Sequence, residues 1–85
     1  MELNEKQIYI LKVSEELFSK NGFDGTSVRM IAKTAGINIA MISYYFGSKE
    51  RLLETLVSYR ILNFKIEIDQ VIQKEDTFMK KIDAI

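Results

Sequence analysis

The stretch TSVRMIAKTAGINIAMISYYFG, from Thr26 to Gly47, decides the fold. Thr26 and Ser27 are candidate N-caps, because their hydroxyls can accept from the free N–H groups of a first helical turn. Val28, Ile31, Ala32 and Ala35 then fall at i, i+3, i+4 and i+7, one face of a short helix. Gly36 ends it. Asn38 is the next candidate N-cap, and Ile39 to Phe46 read as a second short helix whose buried side is Ile42 and Phe46, with Ile37 just before it. Gly47 closes the stretch. Two short helices joined by a tight glycine turn make a helix-turn-helix. Ala32 is small enough for close approach, Gly36 lets the chain turn sharply, and Ile37 anchors the turn. Helices of about two turns are marginal alone, so neighbours must hold them.

Those neighbours lie on either side. Upstream, Asn4 to Lys20 reads as a helix with Ile10, Val13, Leu17 and Phe18 in a stripe, and Leu11 and Ser14 beside it. Asn21-Gly22 is its stop signal, and Phe23 can fold back on the last turn. Downstream, Ser48 is an N-cap candidate for a long helix from Lys49 to about Lys74. Leu52, Leu53, Leu56, Val57, Ile61 and Phe64 support its first part. Ile66, Ile68, Val71 and Ile72 spread around it and want more than one neighbour. A last piece starts near Asp76 or Thr77, with Phe78, Ile82 and Ile85 as its stripe. The expected fold is all-α: a three-helix bundle with a helix-turn-helix, a long linking helix and the start of a further helix. The divisions are a head at 1–47, a linker at 48–74 and the beginning of another domain at 75–85. The final stripe has no partner within the sequence, which implies a larger parent or a partner chain. The plainer reading is a frayed tail.

Composition narrows the function. With 47% hydrophobic and 28% charged residues, the chain is an ordinary globular one. It has no Cys, which excludes disulfides and thiolate chemistry, and no His, which removes the usual general base and metal ligand. Glu15 and Glu16 are adjacent and point apart on a helix. Glu50 and Glu54 share a face beside Lys49 and Arg51, a plain surface pattern. There is no glycine-rich phosphate loop. An enzyme, a cofactor and a metal site are therefore not expected. No apolar run spans a bilayer, and the acidic N-terminus is no signal peptide, so a cytoplasmic location without membrane association is expected. The net charge is zero. Between Thr26 and Arg51, however, the ionisable residues are Arg29, Lys33, Lys49, Glu50 and Arg51, a basic window between more acidic ends.

The exposed end of the second short helix suits DNA. Helix N-termini offer free N–H groups and partial positive charge to phosphate. Thr26, Ser27, Arg29, Asn38, Ser43, Tyr44, Ser48 and Lys49 place hydroxyl, amide and cationic groups nearby. Ile39, Ala40 and Met41 are small or apolar and can meet thymine methyls and base edges. Taken singly, Thr26, Ser27, Asn38 and Ser48 are better read as caps. With the turn between them, they favour binding.

The ordered set Ile10-Leu11, Leu17-Phe18, Asn21 to Ala32, Ala35-Gly36-Ile37 and Ile42 to Leu53 resembles the N-terminal domain of the tetracycline-repressor (TetR) family, over roughly residues 8 to 56. The resemblance implies a three-helix DNA-binding head and a long fourth helix leading to a larger helical domain. That domain binds a small-molecule inducer and forms the homodimer, usually of a repressor. It implies double-stranded DNA as partner, in a near-palindromic operator. Ile39, Ala40, Met41 and Tyr44 would face the groove. Thr26 or Ser27, Arg29, Tyr45 and Lys49 would meet phosphates. The chain departs from the family at Ser43, where Tyr is common and touches phosphate, so that contact moves to Tyr44. It departs also at Met30, where an acid is common, and at Ser14, where Ala is common and the hydroxyl is expected to bond back to its own helix. The domain expected after the head is absent from the sequence. A rival reading is a helical protein–protein interaction module that docks through Phe78 to Ile85 and ignores DNA.

Overall fold

The computed structural model describes residues 2–84 and contains four helices. They are α1 (Glu5–Asn21), α2 (Val28–Ala35), α3 (Ile39–Phe46) and α4 (Lys49–Asp83). Each begins on a side-chain cap. Asn4 accepts from the Gln7 N–H while the Gln7 side chain accepts from the Asn4 N–H, a reciprocal capping box. Ser27, Asn38 and Ser48 accept from Met30, Ala40 and Arg51 N–H. Ser27, and not Thr26, is therefore the cap of α2.

Helix ends follow the glycines. Gly36 sits in the left-handed region (φ 71°, ψ 33°). Its N–H reaches the Lys33 carbonyl, and the Ile37 N–H reaches back to Ala32 at 3.0 Å. This paired closure ends α2 and swings the chain into α3. Gly25 is needed for a different reason: a Cβ there would lie 2.1 Å from the Asn21 carbonyl oxygen.

The first three helices and the start of α4 share one core: Ile10 and Leu11 from α1, Ile31 and Ala32 from α2, Ile42 and Phe46 from α3, and Leu52 and Leu56 from α4. Val28, Ile37 and Leu53 pack on its margin, as do Val13, Leu17 and Phe18. The buried line of α1 runs through Leu11 and Ser14, which the sequence stripe places at its side. Ser14 is fully buried and donates to the Ile10 carbonyl at 2.7 Å, so its hydroxyl is satisfied within the helix. Phe23 folds back on α1, its ring 5.5 Å from that of Phe18.

Helix α4 corrects one expectation. No new helix starts at Asp76 or Thr77; α4 runs unbroken for 35 residues. After Gly47 the sequence holds neither Gly nor Pro. Both supposed cap residues are used inside the helix: Thr77 donates to the Gln73 carbonyl, and Asp76 pairs with Lys80 four residues on. The boundary drawn between 74 and 75 therefore has no break behind it. Ile85 lies outside the described residues. Only the first turns of α4 touch the head, and the molecule is 60 Å long but about 24 by 19 Å across. Arg60 holds α4 to α1 through a two-pronged ion pair with Glu15. Among the described residues, no helix is long and apolar enough to cross a membrane.

Candidate nucleic-acid interface

Burying Ile42 and Phe46 turns the opposite face of α3 outward. That face holds Ile39, Ala40, Ser43 and Tyr44, all exposed, and Tyr44 is 80% accessible. The spacing of these four residues makes them contiguous on the helix. Helix α3 carries neither an acid nor a base. Its outer surface is apolar and hydroxylic, and its cap Asn38 is exposed at the leading end. Met41 and Tyr45 sit half-buried on the flank. With Tyr9, Ile10, Ile37 and Asn38 they line an open cleft of about 450 Å³ against the start of α1. The Tyr44 ring meets the Tyr45 ring edge-on at 5.4 Å.

Charge is supplied from outside α3. Arg29 and Lys33 are exposed on α2. Among the described residues neither enters an ion pair. Ser27 is exposed at the head of α2, although its oxygen already accepts from Met30.

Two residues expected at the surface have inward roles. Thr26 is completely buried, and its hydroxyl lies within donor distance of two carbonyls, Gly22 at 2.9 Å and Leu17 at 3.1 Å. That side chain stitches the α1–α2 turn and cannot reach a phosphate. Lys49 is half-buried. Its Nζ donates to the Phe23 carbonyl at 2.8 Å and the Thr26 carbonyl at 3.1 Å, and it lies 4.1 Å from the centre of the Phe23 ring. A cation in the first turn of α4 opposes the helix dipole. The two carbonyls and the ring face offset that, and one ammonium N–H remains uncommitted. The sequence signals neither role. Thr26 and Ser27 are equivalent as cap candidates, and the partners of Lys49 lie 26 and 23 residues away.

A rigid, capped short helix with an uncharged outer face, delivered by a glycine turn and flanked by free cations, defines a helix-turn-helix DNA-binding head. Residues 10–56 match the family described as bacterial regulatory proteins, tetR family, and the chain belongs to that family. It is 55% identical over 49 residues to the probable HTH-type transcriptional regulator YttP of Bacillus subtilis (strain 168), covering 58% of this chain and 24% of that protein. It is 42% identical over 55 residues to the HTH-type transcriptional repressor NicS of Pseudomonas putida, covering 65% of this chain and 26% of that one. A crystal structure of an HlyIIR mutant protein superposes with a TM-score of 0.62 at 40% identity, over 65% of this chain and 30% of that one. The head is thus the DNA-binding domain of a transcriptional regulator. The chain spans about a quarter of the length of these relatives.

Proposed function

We propose that this head reads a near-palindromic operator and serves a repressor. Ile39, Ala40, Met41 and Ser43 meet base edges, and Ser27, Arg29, Asn38, Tyr44, Tyr45 and the free N–H of Lys49 hold the backbone. The observation that carries this reading is the outward face of α3, uncharged and fixed from behind by Ile42 and Phe46. Phosphate contacts position a protein on a duplex, while the groove face discriminates between sequences. The repressor assignment is supported by the likeness to NicS. Two heads of a homodimer would occupy half-sites about one helical turn, roughly 34 Å, apart. The dimer contacts and an inducer site belong to the longer protein these relatives represent, acting in the cytoplasm.

The test is fluorescence anisotropy of the chain with duplex DNA across a salt series, beside the double variant Arg29→Ala, Tyr44→Ala. Both residues are exposed, so the variant keeps its fold. Steeply salt-dependent binding, largely lost in the variant, supports the reading. No binding by the chain even when fused to a neutral dimeriser refutes it and favours the interaction-module alternative.

A further inference from the structure

Lys6 is a cation without a use inside the chain. It stands in the first turn of α1, where positive charge opposes the helix dipole. Lys49 stands in the same unfavourable place on α4, and there two carbonyls and a ring offset the cost. Lys6 has no such compensation. It is exposed and, among the described residues, it enters no ion pair and lies over no ring.

The surroundings of Lys6 supply a use. It lines the open cleft of about 450 Å³ between the start of α1 and α3. Asn38, Met41 and Tyr45, spaced by three and four, bring one flank of α3 to that cleft. The flank adjoins the outward face of Ala40 and Tyr44, so the cleft opens beside the surface read as meeting DNA. Its floor of Ile10, Ile37 and Met41 is apolar and gives an anion no partner. The rim does. The Asn38 side-chain oxygen is taken by the Ala40 N–H, which leaves the NH2 group to donate outward. Tyr45 brings a hydroxyl, and with Lys6 it also lines a second hollow beside the cleft. Glu5 shares the rim, but its carboxylate complements the α1 dipole, and consecutive side chains leave a helix about 100° apart.

We propose that Lys6, with Tyr45 and Asn38, holds one DNA phosphate, so that the interface reaches across the cleft to α1. This inference rests on the reading of the head as a duplex binder through α3. It adds a backbone contact from a third element, beside those of α2 and α4. The cation that weakens its own helix in the free protein is then compensated only in the complex.

Anisotropy of the chain with mixed-sequence duplex DNA across a salt series, paired with urea unfolding, tests the contact. Lys6→Gln should lower the slope of log K against log salt by about 0.9, the value of one phosphate contact. Lys6→Arg should keep the wild-type slope. The urea midpoint of Lys6→Gln should hold or rise, because the variant removes a cation from the positive end of α1. The control is Lys12→Gln, an exposed α1 cation outside the cleft and outside any ion pair among the described residues, which should keep the wild-type slope. An unchanged slope in Lys6→Gln, while Arg29→Ala still lowers it, overturns this contact alone. So does an equal loss in Lys12→Gln, which reports diffuse charge, or a fallen urea midpoint in Lys6→Gln, which reports a structural role. No DNA binding by the chain even in its dimerised form overturns the reading of the head, and this contact with it.

Discussion

Replacing Lys49 by alanine should weaken the fold as well as remove one of the proposed phosphate contacts, and the loss of stability is the larger effect. The ammonium makes two hydrogen bonds to backbone carbonyls, at 2.8 and 3.1 Å, and lies over the Phe23 ring. A hydrogen bond involving a charged group is worth about 1.5–3 kcal/mol. The cation–ring contact adds about 0.5–1 kcal/mol at an accessible site. Lys49 is half-buried, so the lower values apply, and ordering its long side chain cancels up to about 2 kcal/mol. The Phe23 carbonyl also keeps a partner in the Thr26 N–H. The net loss should be about 2 kcal/mol. With a urea slope of about 1 kcal/mol/M for a chain this small, the unfolding midpoint should fall by about 2 M. The control is Arg29→Ala, an exposed cation outside any ion pair among the described residues. It should leave the midpoint unmoved and lower the salt dependence of DNA binding by about 0.9 in slope. Urea titrations followed by circular dichroism, paired with anisotropy on DNA, read both effects. If Lys49→Ala kept the wild-type midpoint, the clamp would carry no energy and the reasoning from its geometry would be wrong.

Other perturbations follow from neighbouring contacts. Thr26→Val keeps the shape but removes the hydroxyl from two carbonyls; it should cost about 1–2 kcal/mol in urea unfolding and leave the salt slope of DNA binding unchanged. Gly25→Ala drives a Cβ into the Asn21 carbonyl and should lower stability by at least about 2 kcal/mol, visible as a drop in melting temperature. Hydrogen bonding from Arg60 holds the Glu15 carboxyl below its ordinary value of 4.5. That stabilisation is full above the unfolded value and lost as pH falls through the lower folded one. Both side chains are about half exposed, so water limits the pair to under about 1 kcal/mol. Glu15→Gln should therefore cost under about 1 kcal/mol at neutral pH, with the difference from wild type shrinking as pH falls below 4.5.

The parts legible in the sequence are those whose chemistry is local. Ser27, Asn38 and Ser48 cap helices because each is a short polar side chain just before an apolar period and just after a break, and Gly36 closes α2 through an equally local preference. The all-α head and the outward face of α3 follow from them, since burying Ile42 and Phe46 leaves only one orientation for Ile39 and Tyr44. What resisted reading depends on distance or on choice. Lys49 finds its carbonyls, and Arg60 finds Glu15, only after the chain has folded. Thr26 and Ser27 are interchangeable in the sequence, and the α1–α2 turn decides that one is buried and the other caps. Asp76 and Thr77 look like a helix start because their side chains suit a cap. The same groups are equally satisfied mid-helix, by Lys80 and the Gln73 carbonyl, and without a glycine the helix continues.

The charge-free recognition helix bears on how such a head searches a genome. Affinity gained from phosphates falls with salt on every duplex alike. On the proposed reading, affinity gained from Ile39, Ala40 and Ser43 against base edges would release no counterions. Raising the ionic strength therefore shortens residence on arbitrary sequence and on the operator together, and leaves the ratio between them nearly intact. For a protein facing a vast excess of competing sites, that ratio governs occupancy more than the strength of any one complex.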